Sequence, residues 1–228
     1  MSKNNEIQFE QVLESAAKLQ SLVPDAVLVG GSAAAFYAHH RLSYDHDHVV
    51  SNLNQRFEVV FEALKSDSGW KTSRTTDDVL ILGELDGVQA VVRNLRRKMP
   101  LEVEEHILEN GMTITVPTLE EILRIKGYFI FKRNWTRDYL DVAALSKLLG
   151  FQNSAIIFNS IDHYYSDIEK YTRSIASELL NKLANPRPKD SRATTKLKDY
   201  KNLSEEFQDW EFVKNICTNI AKEMIKNA

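Results

Sequence analysis

Apolar residues in this chain follow two different spacings, and the change between them divides the sequence. From residue 9 to 22 they recur every three or four positions, which predicts an amphipathic helix. A short apolar run at residues 26–29 then predicts a buried strand that ends in a tight turn at Gly30-Gly31. An Ala-rich helix is expected directly after this turn, over residues 32–39.

The chain alternates once more between strand and helix before the pattern becomes that of antiparallel sheet. Residues 46–50 have strand character, and residues 53–65 have the spacing of an amphipathic helix. Asp86-Gly87 lies between two apolar runs and is a strong signal for a two-residue hairpin. The further predicted strands are residues 70–74, 79–85, 88–95 and 112–116.

Helical spacing dominates from residue 118 onwards. The predicted helices are residues 118–132, 136–149, 155–164, 165–184 and 204–226. Residues 185–202 are polar and contain two prolines, which favours a mobile loop or tether. The sequence therefore predicts an α+β fold with two domains: an α+β domain over residues 1–117 and a helical C-terminal domain over residues 118–228.

Composition narrows the class of protein. With 43% hydrophobic residues, 27% charged residues and a net charge of −3 over 228 residues, the chain resembles an ordinary globular protein. A surface that is basic throughout is excluded, although a local basic patch is not. A single cysteine, Cys217, excludes an intramolecular disulfide and a zinc ribbon. We expect a cytoplasmic protein without a membrane partner, because the sequence has neither a secretory signal nor a run of about 18 apolar residues.

Two aspartates are the first candidates for chemistry. Asp45 and Asp47 are two positions apart in a predicted strand, so their side chains point to the same face with Cα atoms roughly 6.5 Å apart. Carboxylates so placed suit Mg²⁺, or Mn²⁺ in its place, and Mg²⁺ binds through one or two carboxylates together with substrate phosphates. A nucleoside triphosphate (NTP) is therefore the expected co-ligand.

Gly30, Gly31 and Ser32 supply the complementary anion site. A turn without Cβ atoms lets backbone N–H groups approach a phosphate, and the N-terminus of the following helix adds a partial positive charge. We therefore expect the triphosphate at this turn.

The two elements together resemble a known signature. An apolar strand ending in Gly-Gly-Ser and followed by Asp-x-Asp is similar to the motif of the DNA polymerase beta-like nucleotidyltransferase superfamily. The resemblance implies a nucleotidyltransferase-like mixed β-sheet flanked by helices, followed by a helical C-terminal domain. It also implies that Gly30, Gly31 and Ser32 bind triphosphate, while Asp45 and Asp47 hold Mg²⁺ during transfer of a nucleoside monophosphate (NMP).

A second stretch, LEEILRIKGYFIFKRNWTRDYLDVAALSKLLG at residues 119–150, resembles the AbiEii/AbiGii toxin family of nucleotidyltransferases. Lys126 matches the lysine of that segment and is expected to bind phosphate as a point charge. Arg41 matches a position that the family often fills with arginine, and we assign it to nucleotide binding. Asp138 and Asp141 lie on one helical face as candidate catalytic acids; the alternative is that Asp138 caps the helix and pairs with Arg133 or Arg137.

The resemblance implies transfer of NMP from NTP to a hydroxyl of RNA, in particular tRNA, or of a protein. It also implies the role of a toxin in a toxin–antitoxin or phage-defence pair, with a cognate antitoxin as partner. Many relatives carry a third acid on a later strand, where this chain has Gln89, Val91 or Arg93. Asp138 or Asp141 would stand in for it; otherwise the protein is a catalytically weak or inactive nucleotide- or RNA-binding protein. A metal-dependent hydrolase is the third alternative.

Histidines flank the aspartates. His46 and His48 alternate onto the face opposite the acids, and packing in the core is favoured over a transition-metal site because no fixed zinc-binding spacing is present. His39 and His40 are expected to end the Ala-rich helix, where the helix dipole favours them.

Overall fold

The computed structural model describes residues 8–97, 99–165, 174–200 and 202–227. Its strands are β1 Val27–Val29, β2 Asp45–Val50, β3 Trp70–Thr76, β4 Leu80–Leu85, β5 Val88–Asn94, β6 Val103–Ile107 and β7 Thr113–Pro117. Its α-helices are α1 Phe9–Leu22, α2 Gly30–Ala38, α3 Phe57–Lys65, α4 Leu119–Lys132, α5 Thr136–Leu149, α6 Phe151–Asn159, α7 Ile161–Tyr165, α8 Ile175–Ala184 and α9 Trp210–Lys226. The predicted α+β fold is confirmed.

Five strands form a mixed sheet in the order β1-β2-β5-β4-β3. Strands β2 and β5 are parallel, whereas the other neighbouring pairs are antiparallel. The predicted hairpin at Asp86-Gly87 is confirmed: it joins β4 to β5, and both of its residues have the positive φ that a tight two-residue turn requires.

Alternation along the strands gives the sheet one buried face. In β2 and β4 every second side chain is fully buried, and helices α1 and α3 pack on this side of the sheet region. The buried cluster there consists of Leu19, Val23, Ala26, Val50, Leu53, Phe57, Val60, Leu64, Trp70, Ile81, Leu85, Ala90 and Val92. The opposite face carries the residues in between, so the period of two decides which side chains remain available for chemistry.

A two-stranded sheet of β6 and β7 lies beside β1 and α1. Gln20 of α1 fastens it: its Nε2 donates to the backbone carbonyl of Thr115 at 2.8 Å, and its Oε1 accepts from the Thr115 N–H at 2.7 Å. Strand β6 was not predicted, because most of its side chains are exposed and its sequence, VEEHI, lacks a regular apolar alternation.

The chain divides into two compact units. Unit 1 comprises the described residues up to Ala33, together with Ser43–Arg96 and Glu102–Pro117; unit 2 comprises Ala34–Leu42, Arg97–Leu101 and the chain from Thr118 onwards. Because unit 2 includes two short segments that precede residue 118, the predicted boundary between residues 117 and 118 stays a proposal.

Unit 2 is helical. Helix α4 begins at Thr118, whose hydroxyl accepts a hydrogen bond from the Glu121 N–H at 3.2 Å, as the N-cap pattern predicts. Helix α4 packs against α5 and α8, and α9 packs against α5, α6 and α8. Gly127 of α4 allows a close approach to α6, because a Cβ at this position would lie 2.5 Å from the Phe158 ring.

Five local predictions need correction. The predicted helix at residues 155–164 is divided between α6 and α7, and the predicted helix at residues 204–226 begins as a 3-10 turn, Glu205–Gln208, before α9. The predicted helix at residues 53–65 begins as a separate 3-10 turn, Leu53–Gln55, and the α-helix starts at Phe57. Residues 185–200 are not a tether: they contain the 3-10 turns Ser191–Thr195 and Leu197–Asp199, and Leu197 is buried. The predicted helix at residues 165–184 is present as α8, while residues 166–173 lie outside the described residues.

Within the described ranges, none of the helices combines the length and the apolar character needed to cross a membrane.

Candidate active site

The turn at Gly30 places the end of β1 against β2. Val29 pairs with Asp47, and Gly30 follows directly with a φ of +76°, a conformation that side-chain-bearing residues rarely adopt. A Cβ on Gly30 would lie 2.5 Å from Oδ2 of Asp47. Glycine is therefore required at this position for two reasons: its backbone has a positive φ, and a Cβ would collide with the side chain of Asp47.

Asp45 and Asp47 share the face of β2 opposite the core, and both are half-buried. Oδ1 of Asp45 accepts a hydrogen bond from the Ser43 hydroxyl at 3.0 Å. Ser32 is fully buried, and its hydroxyl donates to the backbone carbonyl of Asp45. This bond ties the first turn of α2 to the start of β2, so the predicted phosphate turn and the predicted metal ligands lie together in unit 1.

His46 and His48 fill the core side of the same strand. The Ser15 hydroxyl donates to the Leu85 carbonyl at 3.0 Å, so His46 Nε2, 3.0 Å from that hydroxyl, acts as the donor to it. Burial lowers the pKa of His46 to about 4, against an opposing effect of Asp45. Burial and then the neighbouring His46 hold the pKa of His48 well below its ordinary value. Both rings are therefore neutral core residues near pH 7.

The register across the sheet fixes what neighbours the aspartates. Asp45 pairs with Gln89 and Asp47 pairs with Val91, so neither neighbouring side chain on β5 is an acid. Glu84 on β4 pairs with Gln89 and thus shares this face two strands away, roughly 10 Å from Asp45 between Cα atoms. Among the described residues there is no group of three His, Cys, Asp or Glu side chains arranged to hold a metal. The site offers a carboxylate pair.

That pair suits Mg²⁺ by its chemistry. Two half-buried carboxylates on one strand face, beside a glycine turn, are the hard oxygen ligands that Mg²⁺ uses when substrate phosphates complete its coordination.

A second charged cluster lies in unit 2 around Asp141, which is fully buried. Lys126 Nζ lies 2.7 Å from Oδ2, and Arg41 donates to both carboxylate oxygens, from Nε at 2.9 Å and from Nη2 at 3.2 Å. His40 Nε2 lies 2.9 Å from Oδ1. One carboxylate thus orients three side chains.

The electrostatics of this cluster follow from burial and from its cations. Burial by itself raises the pKa of Asp141, but the charges of Arg41 and Lys126 and the hydrogen bond from His40 outweigh it, so that this pKa is held well below its usual value. Burial lowers the pKa of His40, against its hydrogen bond to Asp141. With His40 neutral, two cationic side chains, Arg41 and Lys126, face the one carboxylate of Asp141.

Asp138 has the alternative arrangement that the sequence left open. It is fully buried in the first turn of α5, and Arg133 grips it with two hydrogen bonds, from Nε at 2.8 Å and from Nη2 at 2.7 Å. A catalytic role for Asp138 therefore stays a prediction that this pairing does not favour.

Sequence reasoning missed two partners in these clusters. His40 was assigned to the end of the Ala-rich helix; α2 does end at Ala38, but the His40 ring is buried against Asp141. Ser43 is not among the predicted site residues, and the structure shows that its hydroxyl donates to the carboxylate of Asp45. Both lie within three residues of predicted site residues along the chain, and this proximity was the one available signal.

No family model matches the chain. Among curated proteins, MmpL11 of Mycobacterium tuberculosis, described as a heme uptake protein, is 29% identical over 95% of this chain, which covers 23% of that protein. MmpL11 of Mycolicibacterium smegmatis, described as an exporter of mycolic acid-containing lipids, is 32% identical over 64% of this chain and 14% of its own length. The chain thus spans less than a quarter of the curated relatives it matches.

Two solved structures match over nearly the whole chain, and a third matches over 70% of it. JHP933 from Helicobacter pylori has a TM-score of 0.53 at 17% identity, covering 96% of this chain and 93% of its own. A Helicobacter pylori structure described as a nucleotidyltransferase has a TM-score of 0.53 at 16% identity, covering 100% and 99%. The antibiotic-resistance factor ANT(2'')-Ia has a TM-score of 0.51 at 11% identity, covering 70% and 94%. Such likeness concerns the fold alone, and by it this chain has a nucleotidyltransferase-like fold.

Proposed function

We propose that the chain is a Mg²⁺-dependent nucleotidyltransferase, with Mn²⁺ as an alternative ion, that transfers NMP from an NTP to a hydroxyl of RNA, in particular tRNA, or of a protein. The observation that carries the proposal is the position of Asp45 and Asp47, side by side on β2 with Asp47 lying over Gly30. A carboxylate pair beside a glycine turn can hold a divalent ion next to a phosphate.

In the proposed reaction the acceptor oxygen forms a bond to the α-phosphorus of the NTP. The bond from this phosphorus to the oxygen that bridges to the β-phosphate breaks, pyrophosphate leaves with that electron pair, and the acceptor proton passes to solvent. When bound, Mg²⁺ supplies Lewis acidity toward phosphate oxygens and the acceptor oxygen. Asp45 and Asp47 would hold the ion, and the backbone N–H groups of Gly31 and Ser32 would bind phosphate oxygens.

The hydroxyl of Ser32 is assigned a positioning role, because it is buried and donates to the Asp45 carbonyl. Lys126 and Arg41 are assigned to offset charge on the triphosphate and on the departing pyrophosphate. The contacts of Lys126 and Arg41 with buried Asp141 support an orienting role for this acid, so Asp141 would position both cations rather than take part in proton transfer.

A toxin role in a toxin–antitoxin or phage-defence pair is the finer part of the proposal. Its support is the similarity of residues 119–150 to the AbiEii/AbiGii segment, in which Lys126, Arg133, Asp138 and Asp141 match. In this chain the two matched acids bind cationic side chains and His40, so the segment would serve to orient charges.

A second candidate function is a nucleotide- or RNA-binding protein with little or no catalysis. The register favours it, because Gln89 and Val91 occupy the strand positions opposite the aspartates and neither can remove a proton from the acceptor. General base catalysis is typically worth ~10²–10⁴ in rate. This candidate predicts NTP binding without transfer.

Two measurements test the proposal. Thermal denaturation with each NTP, with and without Mg²⁺, should show a Mg²⁺-dependent rise in Tm that the variant Asp45→Asn/Asp47→Asn lacks. Incubation of total RNA and protein with NTPs labelled on the α-phosphate should transfer label in the wild type and not in this variant. Glu84→Gln is the matched control, since it removes a carboxylate from the same sheet face two strands away.

The outcomes separate the candidates. A Mg²⁺-dependent rise in Tm without label transfer would support the binding protein. Equal label transfer by the wild type and by Asp45→Asn/Asp47→Asn would overturn the proposed site.

A further inference from the structure

An exposed tryptophan marks a surface of unit 2 that the proposed chemistry does not use. Trp135 lies between α4 and α5 and is 41% exposed. Its backbone provides the N-cap of α5, and its carbonyl accepts from the Asp138 N–H at 3.0 Å. Because the cap is made by the backbone, helix packing does not require an indole at this position.

Two arginines lie against the indole ring. The guanidinium carbon of Arg137 is 4.8 Å from the ring centroid, and that of Arg133 is 5.2 Å away. Arg133 is held in place by its two hydrogen bonds to Asp138, whereas Arg137 is exposed. The ring therefore lies within cation–π distance of two guanidinium groups, of which that of Arg133 is fixed.

Residues 187–192 are fastened beside this ring. Asn134 Nδ2 donates to the Arg187 carbonyl at 2.8 Å, and the Lys189 N–H donates to the Asn134 carbonyl at 2.8 Å. Asp190 accepts from the N–H of Thr136 at 2.7 Å and from its hydroxyl at 2.9 Å. These hydrogen bonds use the backbone of the segment and the side chain of Asp190. None of them uses a basic side chain of the segment.

We call the two stretches, residues 132–137 and 187–192, the Trp135 surface. Its basic residues are Lys132, Arg133, Arg137, Arg187, Lys189 and Arg192; the charge of Arg133 is paired with Asp138, and the acidic residue within the two stretches is Asp190. The whole chain has a net charge of −3, so this concentration of positive charge is local. The positive charge of Lys189 also affects Lys182. Burial is the main cause that lowers the pKa of Lys182, the charge of Lys189 lowers it further, and the charge of Glu178 raises it.

We propose that the Trp135 surface binds single-stranded RNA, with a base stacked on the exposed indole and phosphates held by the surrounding arginines and lysines. Proteins that bind single strands combine an aromatic platform with a basic path for the backbone. A polyanion without bases would use the charges but not the indole. The inference deepens the proposed function by placing the acceptor, and it rests on that function only for the identity of the acceptor as RNA.

The test measures binding of a fluorescein-labelled, unstructured 12-nucleotide RNA by anisotropy. We expect Trp135→Ala to weaken binding about 5- to 150-fold, in the range that stacking of one base accounts for. Trp135→Phe should recover much of this loss, because it restores an aromatic face. Arg187→Ala/Lys189→Ala should weaken binding and lower the salt slope by about 0.7 for each RNA phosphate that the variant no longer neutralises.

Matched controls come from the same unit. Leu148→Ala removes an apolar side chain that is 55% exposed, and Lys222→Ala/Lys226→Ala removes two exposed charges at the end of α9. Neither should change the affinity by more than about twofold. Far-UV circular dichroism and Tm would verify that each variant is folded. If Trp135→Ala does not fold, the RNA affinity of Trp135→Phe is compared with that of the wild type instead.

Three results would overturn the inference: unchanged affinity in both Trp135 variants, equal affinity for duplex RNA of the same length, or equal affinity for a poly-glutamate peptide. The last would indicate an acidic protein as the partner. Failure here is distinct from failure of the proposed function, since the Mg²⁺-dependent rise in Tm with NTP reports on Asp45 and Asp47 while RNA anisotropy reports on Trp135.

Discussion

The two units use aspartate in opposite ways. In unit 1, Asp45 and Asp47 are half-buried on a strand face, and the donor to the Asp45 carboxylate is the neutral hydroxyl of Ser43. In unit 2, Asp138 and Asp141 are fully buried, and each is gripped by an arginine through two hydrogen bonds. The difference lies in the partners of these carboxylates: cationic side chains compensate the charges of Asp138 and Asp141, whereas a neutral hydroxyl bonds to the carboxylate of Asp45.

This comparison teaches that residue type and spacing do not decide the role of an acid. A buried carboxylate that pairs with a cationic side chain has a structural role. Removing the carboxylate leaves the charge of the cationic side chain buried and uncompensated. A carboxylate on a partly open face can be removed at little cost to folding, because its charge is solvated. The two pairs should therefore respond oppositely when activity and stability are compared.

The largest effect is expected on activity in unit 1. Replacing both proposed metal ligands, Asp45→Asn/Asp47→Asn, should lower kcat/KM by about 10³-fold or more, because charge stabilisation by a metal is worth several kcal/mol and each 1.36 kcal/mol is tenfold. The free energy of unfolding should fall by about 0.5–1.5 kcal/mol, the usual contribution of a hydrogen bond such as that from Ser43 to Asp45, which is less than we expect in unit 2. Label transfer and urea denaturation measure the two quantities; a loss of stability of several kcal/mol would mean that these acids are structural.

The largest effect on stability is expected in unit 2. Asp141→Asn keeps the shape of the side chain but leaves Lys126 and Arg41 without their carboxylate, which should cost about 3–5 kcal/mol. Urea denaturation followed by Trp210 fluorescence, in a Trp70→Phe/Trp135→Phe background, would measure it. The control Glu206→Gln removes an exposed partner of Lys147 and should cost about 1 kcal/mol or less. A similar cost for both variants would contradict the anchoring role.

Acid should weaken unit 1 through His46. Its pKa is lowered from 6.5 to about 4 in the folded state, so the unfolded state binds more protons between these values. Stability is therefore fully present above pH 6.5 and is lost as the pH falls toward 4, by about 3 kcal/mol at 1.36 kcal/mol per pKa unit. Trp70 fluorescence in a Trp135→Phe/Trp210→Phe background, during urea denaturation at pH 7.5, 6, 5 and 4, would follow this loss. His46→Gln should remove the contribution of His46 and leave that of His48. An identical pH dependence in the variant would refute the assignment.

The smallest effect concerns the glycine under Asp47. Gly30→Ala forces a side chain into a left-handed backbone conformation, at about 1–2 kcal/mol, and pushes the Asp47 carboxylate aside. Gly87→Ala is matched to it, because this position also has a positive φ but a Cβ there meets nothing within 4 Å. Both variants should lose similar stability, and only Gly30→Ala should also weaken the Mg²⁺-dependent rise in Tm with NTP. Equal Mg²⁺ responses would show that Asp47 does not depend on the turn.

The sequence predicts most of the fold because its periods are clear. The alternation in β2 and β4, the Asp86-Gly87 hairpin and the N-cap at Thr118 each have a local cause that is visible in a few residues. Strand β6 was missed because it is exposed and highly charged, so its pairing with β7 depends on neighbours that are distant in sequence. The same reason explains the ordered 3-10 turns in residues 185–202, which are fastened by Asn134 and Thr136.

The site was predicted less completely than the fold. The face shared by Asp45 and Asp47 follows from strand alternation, and the absence of an acid on β5 follows once the register is known. Spacing alone does not reveal that Asp141 binds His40, about 100 residues earlier in the chain, or which arginine holds Asp138. Tertiary packing determines which cationic side chain pairs with a buried acid, and tertiary packing cannot be read from a single sequence.

The order of residues in β2, acid, histidine, acid, histidine, also limits how this strand is able to assemble. A slip of one position against β5 would drive both carboxylates among Leu85, Ala90 and Val92 and expel the two imidazoles. Unpaired carboxylates in such surroundings are too costly to persist. The side chains that we propose as magnesium ligands would therefore also favour the correct strand register during folding, because the slipped register buries both carboxylates.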